Sequence, residues 1–168
     1  MKKIGIFYGS STGSSEVIAK IIKSEFINTQ VDLYDVLKTN PHQMNGYRNL
    51  ILGVSTWDDG DLQEDWDDFL IHLDEIDFSN KKIALYGLGD QANFPENFVD
   101  GMGVLYHQLK DKNCKFVGHC PLDGYDFTKS KAVVNNQFVG LAVDEDNQYE
   151  KTGERVKKWV KQLSKEFL

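Results

Sequence analysis

The sequence predicts an α/β fold, a parallel sheet with helices on both faces. Short apolar runs alternate with segments of helical period from one end of the chain to the other. One run, Asn49-Leu50-Ile51-Leu52-Gly53-Val54, is apolar enough to be a strand buried on both faces. A Gly/Ser-rich stretch, Gly9 to Ser15, joins the first run to the first helical pattern.

The first strand is Lys3 to Tyr8. Val17, Ile18, Ile21, Ile22 and Phe26 then fall on one helical face. Val31 to Val36 is a second strand, and Pro41 and Gly46 punctuate a connection with room for one helical turn. After the Asn49–Val54 strand, Ser55 to Gly60 is a loop, and Leu62, Trp66, Phe69, Leu70 and Leu73 share a helical stripe. Lys82 to Gly87 is the next strand and Leu88 to Glu96 its loop. Phe98 to Leu109 follows as a helix weakened by Gly101 and Gly103. Lys115 to Gly118 starts a fifth strand. A polar stretch from about His119 to Asn136 interrupts the rhythm before Phe138 to Val143 resumes it. Val156, Trp159, Val160, Leu163 and Phe167 mark a final helix.

A chain of 168 residues is expected to form a single domain over 1–168, and 40% apolar residues suffice for one core. The net charge of −7 argues against general nucleic-acid binding. No apolar run approaches the ~20 residues of a membrane span. The apolar stretch Ile4 to Tyr8 is too short for a secretory signal. Two cysteines suggest no disulfide scaffold. A cytoplasmic monomer is the expectation.

In a parallel sheet of this kind ligands lie beyond the carboxyl ends of the strands, where strand order reverses. Three loops sit there. In Gly9-Ser10-Ser11-Thr12-Gly13-Ser14-Ser15, unpaired N–H groups and hydroxyls precede a helix N-terminus, a setting for an anion. It has no Walker lysine and no G-x-G-x-x-G spacing, so it suits a phosphate monoester, or else is an ordinary turn and cap. Ser55-Thr56-Trp57-Asp58-Asp59-Gly60 carries a Trp that either stacks on a planar ligand or folds over the core rim. Leu88-Gly89-Asp90-Gln91-Ala92-Asn93-Phe94-Pro95 adds a second aromatic, with Pro95 keeping Phe94 out of helix. Gly60 and Gly89 would let backbone approach a ligand. Two aromatics and a phosphate cradle describe a planar ring tethered to a phosphate.

These residues resemble the flavodoxins, specifically their long-chain branch, from Lys3 to about Phe167. The resemblance is carried by Gly9 to Glu16, Thr56 to Gln63, Gly87 to Gln91, Asp123 to Phe127 and Phe138 to Asn147. It implies a flavodoxin-like three-layer sandwich, a five-stranded parallel sheet in order 2-1-3-4-5 with an insertion in the fifth strand. It also implies FMN as cofactor and one-electron transfer between redox proteins. Ser10, Ser11, Thr12, Gly13, Ser14 and Ser15 would hold the phosphate, and Thr56 and Asp146 would meet the ribityl chain. Trp57 would cover one flavin face and Phe94, where the family usually has Tyr, the other. Backbone at Asp59, Gly60, Gly89 and Asp90 would bond the ring's polar edge, and Asp58–Asp59 would form the peptide facing N5 of the neutral semiquinone. Asp58 replaces a more usual Asn or Gly. Ser55, Leu88 and Asn97 complete the expected site.

Between Asp58 and Asp77 there are ten acids and no Lys or Arg. Beside a fully reduced, anionic flavin these charges would lower the potential of the second electron below that of the first, making the protein a low-potential carrier. The same run is either a solvated helix face or a surface for basic partners, such as an NADPH-dependent flavin reductase and an acceptor oxidoreductase. The C-terminal segment Glu150 to Leu168 instead has six bases against three acids. The alternative function is an FMN-dependent quinone or nitro-compound reductase, which needs an open pocket over the ring. Cys114, His107, His119 and Cys120 match no common zinc spacing. No Ser sits in G-x-S-x-G, and the acid cluster of a phosphorylation receiver is missing from the strand ends.

Overall fold

The computed structural model describes residues 2–57 and 60–168. Asp58 and Asp59 therefore lie outside the described residues, and with them the expected peptide facing N5. Strands β1 (Lys3–Tyr8), β2 (Gln30–Asp35) and β3 (Asn49–Trp57) are separated by helix α1 (Ser14–Glu25) and a 3-10 turn at Pro41–Gly46. A short strand β4 (Asp61–Leu62), helix α2 (Glu64–Leu70), strand β5 (Lys82–Leu88) and helix α3 (Asp100–Leu109) follow. The chain ends with β6 (Lys115–Val117), β7 (Val133–Val134), β8 (Gln137–Phe138), β9 (Leu141–Val143) and helix α4 (Glu145–Glu166).

The main sheet runs β2-β1-β3-β5, with β6 and β9 both parallel to β5 on its far side. Their registers are consecutive: Ala84 faces Val117 and Tyr86 faces Leu141. One sheet position is thus filled by two short strands, and the chain between Val117 and Leu141 is an insertion in the fifth strand. The strand count exceeds the expected five for this reason and because β4 turns back antiparallel onto β3. The order and class stand as expected.

Alternation along the central strands builds the layers. Leu50, Leu52, Val54, Ile83 and Leu85 pack against Trp66, Phe69, Leu105 and Leu109 from α2 and α3. Ile51, Ala84 and Tyr86 point the other way, onto Ile18, Ile22, Trp159 and Leu163 from α1 and α4.

Several boundaries differ from the sequence reading. The third helix begins at Asp100, not Phe98, because Val99 takes a left-handed φ of 48°. The second helix stops at Leu70, short of Leu73, which instead opens a 3-10 turn. The second strand is shifted by one residue toward the N-terminus. Phe138 does not resume the fifth strand: it pairs with Val133 in a small hairpin, and the strand restarts at Leu141. Gly140 makes the crossing, where a Cβ would lie 2.0 Å from the Leu85 carbonyl oxygen.

Candidate functional site

Loops from the ends of β1, β3 and β5 and the start of α4 enclose a cleft of about 300 Å³. It is lined by Thr12, Ser14, Ser55, Thr56, Trp57, Leu88, Gly89, Asp90, Phe94, Asn97, Glu145 and Asp146. Position follows from topology, since β1 and β3 are sheet neighbours whose connections leave on opposite faces. Flavodoxins are a standing instance of binding at such a switch point.

The first loop ends at Gly13, whose φ of 87° is open to glycine at no steric cost. The first helical bond of α1 runs from Val17 N–H to Gly13 O, and among the described residues no side chain caps the end. The preceding N–H groups are therefore left to the loop and its ligand. Among the described residues the Ser10 hydroxyl oxygen is buried without a partner. Among the described residues no Lys or Arg lines the cleft. This donor set fits a phosphate bound by neutral groups.

Not every expected hydroxyl points there. Ser15 is fully buried and its Oγ lies 2.9 Å from Ser55 Oγ, so its side chain braces β3. What it can offer the loop is its backbone N–H. Thr56 Oγ1 accepts from Gly101 N–H at 2.9 Å, which ties β3 to α3 and leaves its own proton to donate.

The Trp57 ring does not fold over the core rim, and it faces the cleft together with Phe94. They are 39% and 43% exposed, and both line the cleft. Neither is folded into the core. Phe94 sits in a turn closed by its N–H on Asp90 O at 2.9 Å. The two glycines sit in tight packing. A Cβ on Gly60 would meet Asp100 Oδ2 at 2.7 Å, and one on Gly89 would meet the Val99 nitrogen at 2.9 Å. Both glycines pack closely against residues 97–100, and Gly60 also takes a left-handed φ of 101°. Asn97 lines the cleft while its Nδ2 donates to Asp100 Oδ2 at 3.1 Å.

The acidic side of the cleft is built on Asp144, which is fully buried at the start of α4. Its carboxylate accepts Asn147 N–H (3.0 Å), Gln91 N–H (3.1 Å) and Gln91 Nε2 (2.7 Å), while Gln91 Oε1 accepts Asp126 N–H (2.6 Å). One carboxylate thus fastens the Phe94 loop to α4 and, through Gln91, to the insertion. Nearby, partial burial pushes Asp90 up, but hydrogen bonds from Asn93 and Asn147 outweigh this and hold it below the usual carboxylate range. Burial, with Asp90 and Asp144 beside it, raises Asp146. Asp144→Ala should lose the cap and strand the Gln91 donors, destabilising the apoprotein by about 2–4 kcal/mol in urea unfolding. A loss below ~1 kcal/mol would show that the network is dispensable.

Sequence reasoning missed Glu145 in the lining, and Asp144, Gln91 and Gln63 behind it. Asp144 had a signal, an Asp immediately before a helix start. The two glutamines had no signal beyond closing two of the segments that carry the resemblance.

Among the described residues no group of three or more His, Cys, Asp or Glu could hold a metal ion. Cys114 and Cys120 are free and half-buried, and burial pushes both thiols up, Cys120 to about 12.

The comparisons agree with this geometry. The flavodoxin family profile matches residues 6–159. A flavodoxin of Nostoc sp. is 47% identical over 166 residues, covering 99% of this chain and 98% of the relative. The chain belongs to the flavodoxin family. Flavodoxin 1 of Escherichia coli K12 is 45% identical over 97% of the chain and 93% of its own length. Among solved structures, a flavodoxin of Fusobacterium nucleatum bound to flavin mononucleotide superposes with a TM-score of 0.95 at 34% identity, covering 100% of both chains. Membership in this family means electron transfer through redox partner proteins rather than substrate turnover. Among the described residues, no helix is long and apolar enough to cross a membrane.

Proposed function

We infer that this flavodoxin is a low-potential one-electron carrier that holds FMN in the cleft between Thr12 and Asp146. The observation that carries the reading is the pairing of two exposed aromatics, Trp57 and Phe94, with an uncapped helix start bearing the orphaned Ser10 hydroxyl. Bound FMN would supply the one-electron chemistry. Ser10, Ser11, Thr12, Gly13 and Ser14, with the Ser15 N–H, would hold its phosphate by hydrogen bonds alone. Thr56 and Asp146 would bind the ribityl chain, and Trp57 and Phe94 would cover the ring and exclude water. Ser55, Leu88, Gly89, Asp90 and Asn97 would form the cleft wall. Gly60 would support that wall from behind, where it packs beside Asn97 and Asp100. The roles assigned to Asp58 and Asp59 rest on the family resemblance alone.

Among the described residues, carboxylates and no Lys or Arg line the site, so these residues oppose added negative charge. The second electron should therefore enter at a lower potential than the first. An anaerobic redox titration of FMN-loaded protein is expected to resolve two one-electron waves. A single two-electron wave would favour the quinone or nitro-compound reductase instead. Two aromatics placed to cover the ring would speak against that alternative, which needs a hydride donor over an open face. The partners proposed are basic redox proteins, an NADPH-dependent flavin reductase and an acceptor oxidoreductase, in the cytoplasm. The carrier would act as a monomer of one domain, without nucleic-acid or membrane partners.

A further inference from the structure

Gln63 is fully buried between β4 and α2, yet it makes no capping bond to the helix it precedes. Its amide reaches across the fold instead, with Nε2 donating to Ser11 Oγ at 2.8 Å. Its Oε1 is buried without a partner among the described residues and lies against Gly9. A Cβ at Gly9 would come within 2.2 Å of that oxygen and 2.7 Å of Trp66 Cδ1. Trp66 Nε1 and the Gly9 N–H both donate to Gly53 O, at 2.8 and 3.2 Å. The root of the phosphate loop is therefore clamped between β3 and the first turn of α2. A buried amide that leaves one acceptor unsatisfied is costly to keep, and an apolar residue of the same length would avoid the cost.

We propose that Gln63 is a positioning residue that turns Ser11 into a directed donor for the cofactor's phosphate. This rests on the reading that FMN binds here with its phosphate at the first loop. A hydroxyl has one proton and can accept two hydrogen bonds. Because Nε2 donates to Ser11 Oγ, the amide fixes the oxygen and leaves the Ser11 proton free. Ser11 is exposed on the loop, so that proton is available to an anion. A donor chain from Nε2–H to Oγ–H to phosphate oxygen is polarised along its length and strengthens the last bond. Gln63 also follows β4, which pairs with Thr56 and Trp57. The same side chain thus links the phosphate loop to the hairpin carrying Trp57.

The test compares FMN with riboflavin, which lacks the phosphate, as ligands of the apoprotein. Titrations would use wild type, Gln63→Met, Ser11→Ala and the double variant, with apoprotein thermal unfolding followed alongside. Gln63→Met is expected to raise the FMN dissociation constant roughly tenfold. The riboflavin constant should stay within about twofold. Ser11→Ala, at an exposed position, should show the same selectivity, and the double variant should bind FMN no worse than Ser11→Ala alone. Should Gln63→Met fail to fold, Gln63→Glu, which cannot donate through its carboxylate, must still show the selective loss. Equal losses for both flavins would make Gln63 a packing residue and overturn the proposal, as would additive losses or an unchanged FMN affinity. Wild-type protein that binds neither flavin would overturn the site reading itself, and this proposal with it.

Discussion

Replacing both Trp57 and Phe94 by alanine is expected to weaken FMN binding by roughly a hundredfold or more while leaving the apoprotein about as stable as wild type. Aromatic side chains stacked on planar bases contribute about 1–3 kcal/mol each by alanine substitution, and two such rings line this cleft. The fold should tolerate their loss because both are more than a third exposed and neither belongs to the buried core. Phe94→Tyr retains the face and should cost little, whereas Phe94→Leu should behave partway toward alanine. Flavin fluorescence, quenched on stacking and recovered on release, follows the titration. Affinity within about twofold of wild type in the double variant would mean that the ring lies elsewhere. Phosphate-loop variants should act independently of these two, being separated from them by the ribityl chain.

The layers were legible because they depend on period and burial, which the apolar pattern records directly, whereas the strand order came from the family resemblance. Leu50, Ile51 and Leu52 already declare a strand buried on both faces. The insertion was visible as a break in rhythm, but its edges were not. Phe138 is as apolar as a strand residue should be, and what removes it from the strand is the passage of Gly140 across the Leu85 carbonyl. That is a tertiary contact. The same holds at Val99, whose left-handed backbone no propensity would suggest. At the site, many residues that line the cleft could be read from loop position. Residues that hold the loops could not, since Gln63 and Gln91 act through partners 52 and 53 positions away. The Ser15 side chain shows a related effect: at a helix start, a one-residue step turns a side chain from the loop to the sheet.

Reduction of this flavodoxin by a basic partner is expected to slow at least tenfold between ~0.02 and ~0.5 M ionic strength. Asp61, Glu64, Asp67, Asp68, Asp74, Glu75 and Asp77 are all exposed around β4 and α2. Among the described residues only Asp74 of these is paired with a lysine, Lys112, while Glu75 lies near His42 and His72. Asp61 pairs with Trp57 across the β3–β4 hairpin, so the acidic surface begins where the aromatic rim of the cleft ends. The basic residues of α4 lie in the opposite helical layer, packed with α1 on the other face of the sheet. The molecule therefore carries a charge asymmetry as well as a net charge of −7. A basic partner would be turned toward the α2 side during approach, presenting the Trp57 edge first. Asp67→Lys with Asp68→Lys should slow the bimolecular step at low salt and flatten its salt dependence, leaving FMN affinity unchanged. Stopped-flow rates against ionic strength decide this. A flat profile in the wild type would mean that the acidic run only keeps the surface solvated.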